Sequence, residues 1–401
     1  MANNPIPATN WNGIGIVFVA GVAAAIMLAK GSAAAPAVQQ QLSLQLAQIG
    51  WLMSISNLAT LLFGAISGQL GSRFGLATMI KTGLLIMSLA AIASLLSESF
   101  AALLTGRAVE GLGIVLVTVA APALIAGLAN NNDRSMAMGI WALWMPVGSV
   151  CIMLLSPTLI SWCGWRGLWL FAALASMAAW LLIQITQPGN RPGDNSGPKP
   201  AAEFDLSALK AIAPWLLMLI FACFSFQFFS VFTFMPIYFS NQLGLSAEQA
   251  AKVVAIIPIF IIPGNLLGGW LAKRGLQPWQ LILVPALILL VLTQGLFNLD
   301  DAGLSATLLL GGYGFVLGII PTAIFIQAPK LAKTASAAAP IIGLGMSGQG
   351  LGILLGPPLT GWLAADGTNW QACADLLSLV LIVLASIALL LARATRQPRP
   401  L

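Results

Sequence analysis

Apolar residues run along this chain in long blocks, with polar residues confined to short stretches between them; Leu46 to Leu70, Ala77 to Leu96, Ala211 to Phe239 and Leu376 to Leu391 are the clearest. Each block is near or above the roughly 20 residues with which an α-helix crosses a bilayer. None alternates apolar with polar at the period of two that a lipid-facing barrel strand requires. The pattern predicts twelve membrane-spanning helices, centred near residues 25, 58, 87, 115, 148, 176, 225, 260, 287, 315, 350 and 382. The expected fold class is therefore an all-α integral membrane protein, a bundle of twelve transmembrane helices.

The blocks repeat. Leu154-Leu-Ser-Pro-Thr-Leu-Ile-Ser-Trp162 returns as Leu354-Leu-Gly-Pro-Pro-Leu-Thr-Gly-Trp362, displaced by 200 positions in a chain of 401. Gly148 and Gly348 precede the first prolines by nine residues, and Pro122 and Pro321 lie at equivalent places in helices four and ten. A period of half the chain implies two equivalent halves. Six helices per half is an even number, so both halves enter the membrane from the same side, as a parallel repeat requires. The expected division is an N-terminal bundle over 1–186, a linker over 187–210 and a C-terminal bundle over 211–401. The linker begins Gln187-Pro-Gly-Asn-Arg-Pro-Gly-Asp and is rich in Pro, Gly and charge, the composition of a flexible connector.

Composition narrows the chemistry. Charged residues make up 7% of the chain, against roughly 25% in a soluble domain, so most of its surface must face lipid. The absence of histidine excludes histidine-based catalysis and metal ligation. The four cysteines, Cys151, Cys163, Cys223 and Cys373, have no metal-type spacing and read as small apolar fillers. Residues 1–12 carry no Lys or Arg and further spans follow, so the first helix is not expected to be a cleaved signal peptide.

Lys and Arg set the expected orientation, because cytoplasmic loops collect them. With both termini cytoplasmic, the inside loops hold thirteen of the seventeen basic residues, including Arg73, Arg134, Lys273 and Arg274. Arg166 and Lys252 fall at outside ends, and Lys30 and Arg107 fall within spans. This accounts for the net charge of +6 without nucleic acid as a partner.

Three charges stand inside apolar helices. A charge at the bilayer centre costs on the order of 3 kcal/mol, so Lys30 is expected to face a wet cavity or a partner, unless its stem snorkels to the interface. Arg107 and Glu110 are three residues apart and share a helix face, which makes either a self-neutralising pair or a carboxylate poised to exchange a proton. The three sum to +1, which favours an anionic or electron-rich ligand. Helix seven is crowded with phenylalanines that surround it and are expected to face lipid or pack, while Gln227 among them needs a partner. Tyr313 and Gln327 on helix ten, and Trp144 on helix five, are further candidates for a binding site.

Short motifs at the helix ends add a resemblance. Gly68-Gln-Leu-Gly-Ser-Arg-Phe-Gly75 follows helix two, and a weaker copy, Gly269-Trp-Leu-Ala-Lys-Arg-Gly275, follows helix eight. Arg107-Ala-Val-Glu-Gly-Leu-Gly113 lies in helix four, and Gly164-Trp-Arg-Gly-Leu-Trp-Leu-Phe171 opens helix six. Together these resemble the signatures of the major facilitator superfamily. Ser135-Met-Ala-Met-Gly-Ile-Trp-Ala-Leu-Trp-Met-Pro-Val-Gly148 is similar to the cyanate-permease-like branch.

The resemblance implies two six-helix bundles related by a pseudo-two-fold, with helices one, four, seven and ten lining the path between them. It implies a cytoplasmic gating motif in Gly68, Gly71, Ser72, Arg73 and Gly75, with Arg134, Lys273 and Arg274 beside it. Ser72 departs from the pattern, since the family usually carries Asp there, so the charge lock of that gate must be weaker or built otherwise. It also implies a proton-coupling role for Arg107. The expected activity is secondary transport of a small organic solute, with anions among the candidates, by alternating access, with a proton gradient and no cofactor. An efflux antiporter for drugs or metabolites is the alternative. A polytopic enzyme is disfavoured by the lack of clustered Asp, Glu or His, and a channel by the half-chain repeat. The implied setting is a bacterial inner membrane, with a monomeric, multi-pass chain whose partners are lipid and a small-molecule substrate.

Overall fold

A computed structural model describes residues 8–63, 75–130, 133–188, 209–331 and 335–395. Gly68, Gly71, Ser72, Arg73 and linker residues 189–208 lie outside these, as does the side chain of Arg134.

The described residues of the first half form α1 (Trp11–Leu42), α2 (Leu46–Phe63), α3 (Leu76–Ser94), α4 (Phe100–Leu128), α5 (Met136–Cys163) and α6 (Arg166–Thr186). Those of the second form α7 (Ile212–Leu243), α8 (Ala247–Lys273), α9 (Gln280–Leu296), α10 (Leu304–Leu331), α11 (Ala335–Leu363) and α12 (Trp370–Thr395). Ten of the twelve are both long and apolar enough to cross a membrane. Among the described residues there is no strand. Polar residues mark several starts: Asn10 caps α1 by accepting from the Gly13 amide at 2.9 Å, and Ser246 with Gln249 forms a capping box on α8.

Packing obeys the repeat. In the first half α1 packs on α4, α5 and α6, α3 packs on α4 and α6, and α2 leans on α4; the second half reproduces each pair six helices later. The halves meet along α2–α11, α5–α8 and α1–α7. This leaves α1 and α7 central, and α7 explains its own composition. Phe221, Phe224, Phe228, Phe229, Phe232 and Phe234 are all buried, so the rings serve as packing and not as a lipid-facing surface. Phe224, Phe228 and Phe232 stack in a ladder, at centroid spacings of 6.4 and 5.2 Å.

The repeated glycines are contacts within each half. A Cβ at Gly148 would stand 2.7 Å from the carbonyl oxygen of Val22 on α1, and one at Gly348 would strike the backbone of Met218 on α7. Glycines of α11 then divide by face. Gly348, Gly352 and Gly356 meet α7, whereas Gly350 and Gly361 meet Leu61 and Leu46 on α2, across the boundary between halves. The tryptophans that close the repeated motif have a different place. Trp162 is 77% exposed and Trp362 70%, matching positions on the outer surface where an indole anchors a helix at the membrane interface.

Candidate functional site

The three intramembrane charges converge on one point inside the first half. Lys30 from α1 donates to Oε1 of Glu110 on α4 at 2.7 Å, and Arg107 Nη1 donates to Oε2 of the same carboxylate at 2.7 Å. All three side chains are fully buried. Lys30 therefore neither snorkels to an interface nor lies open to a cavity. Its ammonium also contacts Met27 Sδ at 2.7 Å and lies 4.7 Å from the ring centroid of Trp169 on α6, a cation–π arrangement.

Arg107 is tied to three helices. Besides Glu110, it donates to the carbonyls of Met27 on α1 at 2.8 Å and Leu52 on α2 at 3.2 Å, and to Ser56 Oγ at 3.3 Å. Two features of the backbone make room: Gly31 lets Met53 and the Arg107 guanidinium approach α1, and Gly111 lets α4 press on the backbone of Ser56. Lone buried charges are costly, but here every charge has a partner and the guanidinium has acceptors for its remaining protons.

The second half holds a separate buried group that is polar and uncharged. Gln227 on α7 donates through Nε2 to Thr293 Oγ1 on α9 at 2.9 Å, and the Tyr313 hydroxyl on α10 donates to the Gln227 carbonyl at 3.3 Å. The Gln227 Oε1 atom has no hydrogen-bond partner among the described residues. Gln227 thus joins Tyr313 but not the charged triad. Gln327 is buried on α10, and Trp144 is half-buried, stacked on Trp141 at 5.4 Å, where the Trp141 ring and the Trp144 Cβ pack over Gly21 of α1.

The described members of the predicted gating motif sit at turns. Gly75 and Gly275 have φ of +78° and +97°, a region open to glycine, while Lys273 and Arg274 are exposed and Arg274 lies 4.8 Å from the Trp270 ring centroid. Sequence reasoning overlooked Trp169, whose signal was its place in the Trp165–Arg166 motif. It also overlooked Asp375, an exposed carboxylate inside α12 that bonds Gln294 and Gln371, so Glu110 is not alone among span carboxylates.

A family model described as Major Facilitator Superfamily matches residues 15–342. The chain belongs to the Major Facilitator Superfamily. Arg107 and Glu110 lie within the matched range. Over 150 residues the chain is 31% identical to the multidrug transporter mfsC of Aspergillus fumigatus, covering 36% of this chain and 28% of mfsC. It is 25% identical over 262 residues to the niacin transporter NiaP of Acinetobacter baylyi, covering 57% of this chain and 59% of NiaP. Both alignments span less than two thirds of the relative. A solved inward-facing, occupied structure of a bacterial homologue of the human lysosomal transporter Spinster shares the fold at a TM-score of 0.79. That match covers 98% of this chain and 99% of the homologue at 17% identity. Superfamily membership and transporter-named relatives point to a transporter and away from the polytopic-enzyme alternative. The names give no support to the cyanate-permease-like branch.

Proposed function

We propose that this chain is a secondary transporter that carries a small organic anion across the membrane by alternating access, coupled to protons. The observation that carries the reading is the buried Lys30–Glu110–Arg107 triad, a group of net charge +1 in the first half. Buried charge in a membrane bundle is a functional feature by default, since apolar packing would hold the helices at lower cost. The contacts between halves support rocking: two side seams, α2–α11 and α5–α8, flank the central α1–α7 contact. Niacin is a pyridine carboxylate, and a carrier of such an anion suits a site with one surplus positive charge. We place the chain in a bacterial inner membrane as a monomer, with both termini cytoplasmic, needing no cofactor beyond a proton gradient.

Export of drugs or metabolites is the second reading, favoured by the 150-residue likeness to the multidrug transporter mfsC. Reconstitution into proteoliposomes separates the two. Saturable uptake of radiolabelled nicotinate or benzoate, with counterflow and acceleration by an imposed pH gradient, is the expected result. Flux of aromatic cations alone would favour export, and conductance without saturation would overturn both.

A further inference from the structure

We propose that the exchangeable proton of the buried triad is carried on Lys30 Nζ, while Glu110 stays ionised as the fixed counter-charge of both cations. This rests on the coupling role assigned above to the triad, and it reverses the expectation that Glu110 is the group that exchanges a proton.

Geometry leaves Glu110 little room for a proton. Its two oxygens are each taken by a different charged donor, Oε1 by Lys30 and Oε2 by Arg107, both at 2.7 Å. A proton on either oxygen would point at an N–H and remove an acceptor from it. It would also leave two cations side by side with no anion, in a place without water exposure. Arg107 cannot give up its proton instead, because a guanidinium stays charged in proteins and this one is further held by the carbonyls of Met27 and Leu52.

Lys30 is different. When one Nζ–H bond breaks and the proton passes to water admitted as the halves rock apart, the neutral amine still has two N–H bonds, one of which can remain on Glu110 Oε1. The triad then becomes Arg107 with Glu110, a neutral pair. The ammonium gives up its charge attraction to Glu110, a thioether contact to Met27 and the face of Trp169, but Glu110 keeps Arg107 as its counter-charge at 2.7 Å.

No other charge on the helices around α1 intervenes. Arg166 on α6 is engaged with the carbonyls of Leu95 and Ser97, and α2, α5 and α7 bring no acidic or basic side chain to Lys30 among the described residues. Lys81 on α3, and Glu248 and Lys252 on α8, are not among its partners. Across the boundary, Ser32 meets the uncharged Thr233.

The test needs no substrate. Infrared difference spectra of the purified full chain in nanodiscs, titrated from mildly acid to mildly alkaline pH, should show no protonated-carboxyl stretch that vanishes in Glu110→Gln. The tryptophan absorbance should show one pH step assignable to Trp169, absent in Trp169→Phe, Lys30→Arg and Lys30→Met. Lys30→Arg keeps the charge and guards against a variant that fails to fold. A carboxyl band lost in Glu110→Gln overturns the proposal, and so does a tryptophan step that survives in Lys30→Arg. In proteoliposomes Lys30→Arg should lose the acceleration of flux by a pH gradient. If the unaltered chain moves no solute at all, the transporter reading fails, while the two spectroscopic outcomes still decide where the proton sits.

Discussion

Ser32 on α1 and Thr233 on α7 meet hydroxyl to hydroxyl at 3.4 Å, where the central helices of the two halves touch. Ser32 stands four residues before Pro36 and Thr233 three before Pro236, and the two prolines are 200 positions apart, as in the motif repeat. The contact lies toward the C-terminal ends of α1 and α7, which is where a gate between rocking halves would be expected to close one side of a path. Cysteines at Ser32 and Thr233, in a chain whose native cysteines are replaced, should form a disulfide, because side chains this close fall within disulfide reach. Oxidation should stop transport and reduction restore it. A cross-link that forms without slowing flux would remove this contact from the gate.

The α2–α11 seam should be intolerant of bulk. A Cβ at Gly50 would stand 2.5 Å from the backbone carbonyl oxygen of Pro357, and backbone cannot turn aside as a side chain can. Gly50→Ala should destabilise the fold by about 1–3 kcal/mol, as overpacked sites do, and lower the midpoint of thermal unfolding in detergent. Gly15 on α1 has nothing within 4 Å, so Gly15→Ala should leave that midpoint unchanged or raise it. Equal midpoints for the two variants would mean that the seam is looser than its geometry.

Arg107 is held by shape as much as by charge. Its guanidinium reaches Glu110, Met27 and Leu52 at once, a spread that a single ammonium cannot cover. Arg107→Lys should therefore cost on the order of 3 kcal/mol, since hydrogen bonds from a charged donor contribute about 1.5–3 kcal/mol each. Thermal unfolding in detergent measures this directly. A loss below 1 kcal/mol would show that water or lipid replaces the missing donors.

The bundle was legible because apolar blocks near the bilayer length have one economical solution, and all twelve expected centres fall within helices. Lys30, Arg107 and Glu110 stood out because charge is rare in such blocks. Their union did not, since Lys30 and Glu110 are 80 positions apart on separate helices and no periodicity links them. The aromatic crowding of α7 was ambiguous for another reason. A helix apolar on every side suits lipid and protein core alike, and only the packing of α1, α10, α11 and α12 around it decides for the core. Asp375 escaped because it precedes the apolar block that begins at Leu376.

Tyr313 and Gln227 offer a way to separate binding from stability. Tyr313→Phe removes one neutral hydrogen bond, to the Gln227 carbonyl, which should cost about 0.5–1.5 kcal/mol. Gln227→Met removes the buried amide whose Oε1 lacks a partner among the described residues, so its stability should change little more. If that oxygen meets substrate, Gln227→Met should raise the half-saturation concentration several-fold while the unfolding midpoint stays near that of Tyr313→Phe. An unchanged half-saturation concentration would leave Gln227 as packing.

Orientation decides which side the Ser32–Thr233 contact closes. With the N-terminus inside, α1 runs outward, and Ser32 lies ten residues short of its outer end at Leu42, so the contact seals the outer side. That orientation is the one the positive-inside rule predicts, because thirteen of the seventeen basic residues would then face the cytoplasm. A phosphatase that folds only outside the cytoplasm should be inactive when fused after Arg399, and active when inserted between Leu42 and Leu46. A reporter that requires the cytoplasm should give the opposite pattern. Reversed activities would turn the molecule over, and the same contact would then seal the cytoplasmic side. Lys30, Glu110 and Arg107 would move with it from the outer part of the membrane to the inner part. A proton reaching Lys30 would then come across the bilayer by a different entrance, and the direction of the driving gradient would have to be reassigned with it.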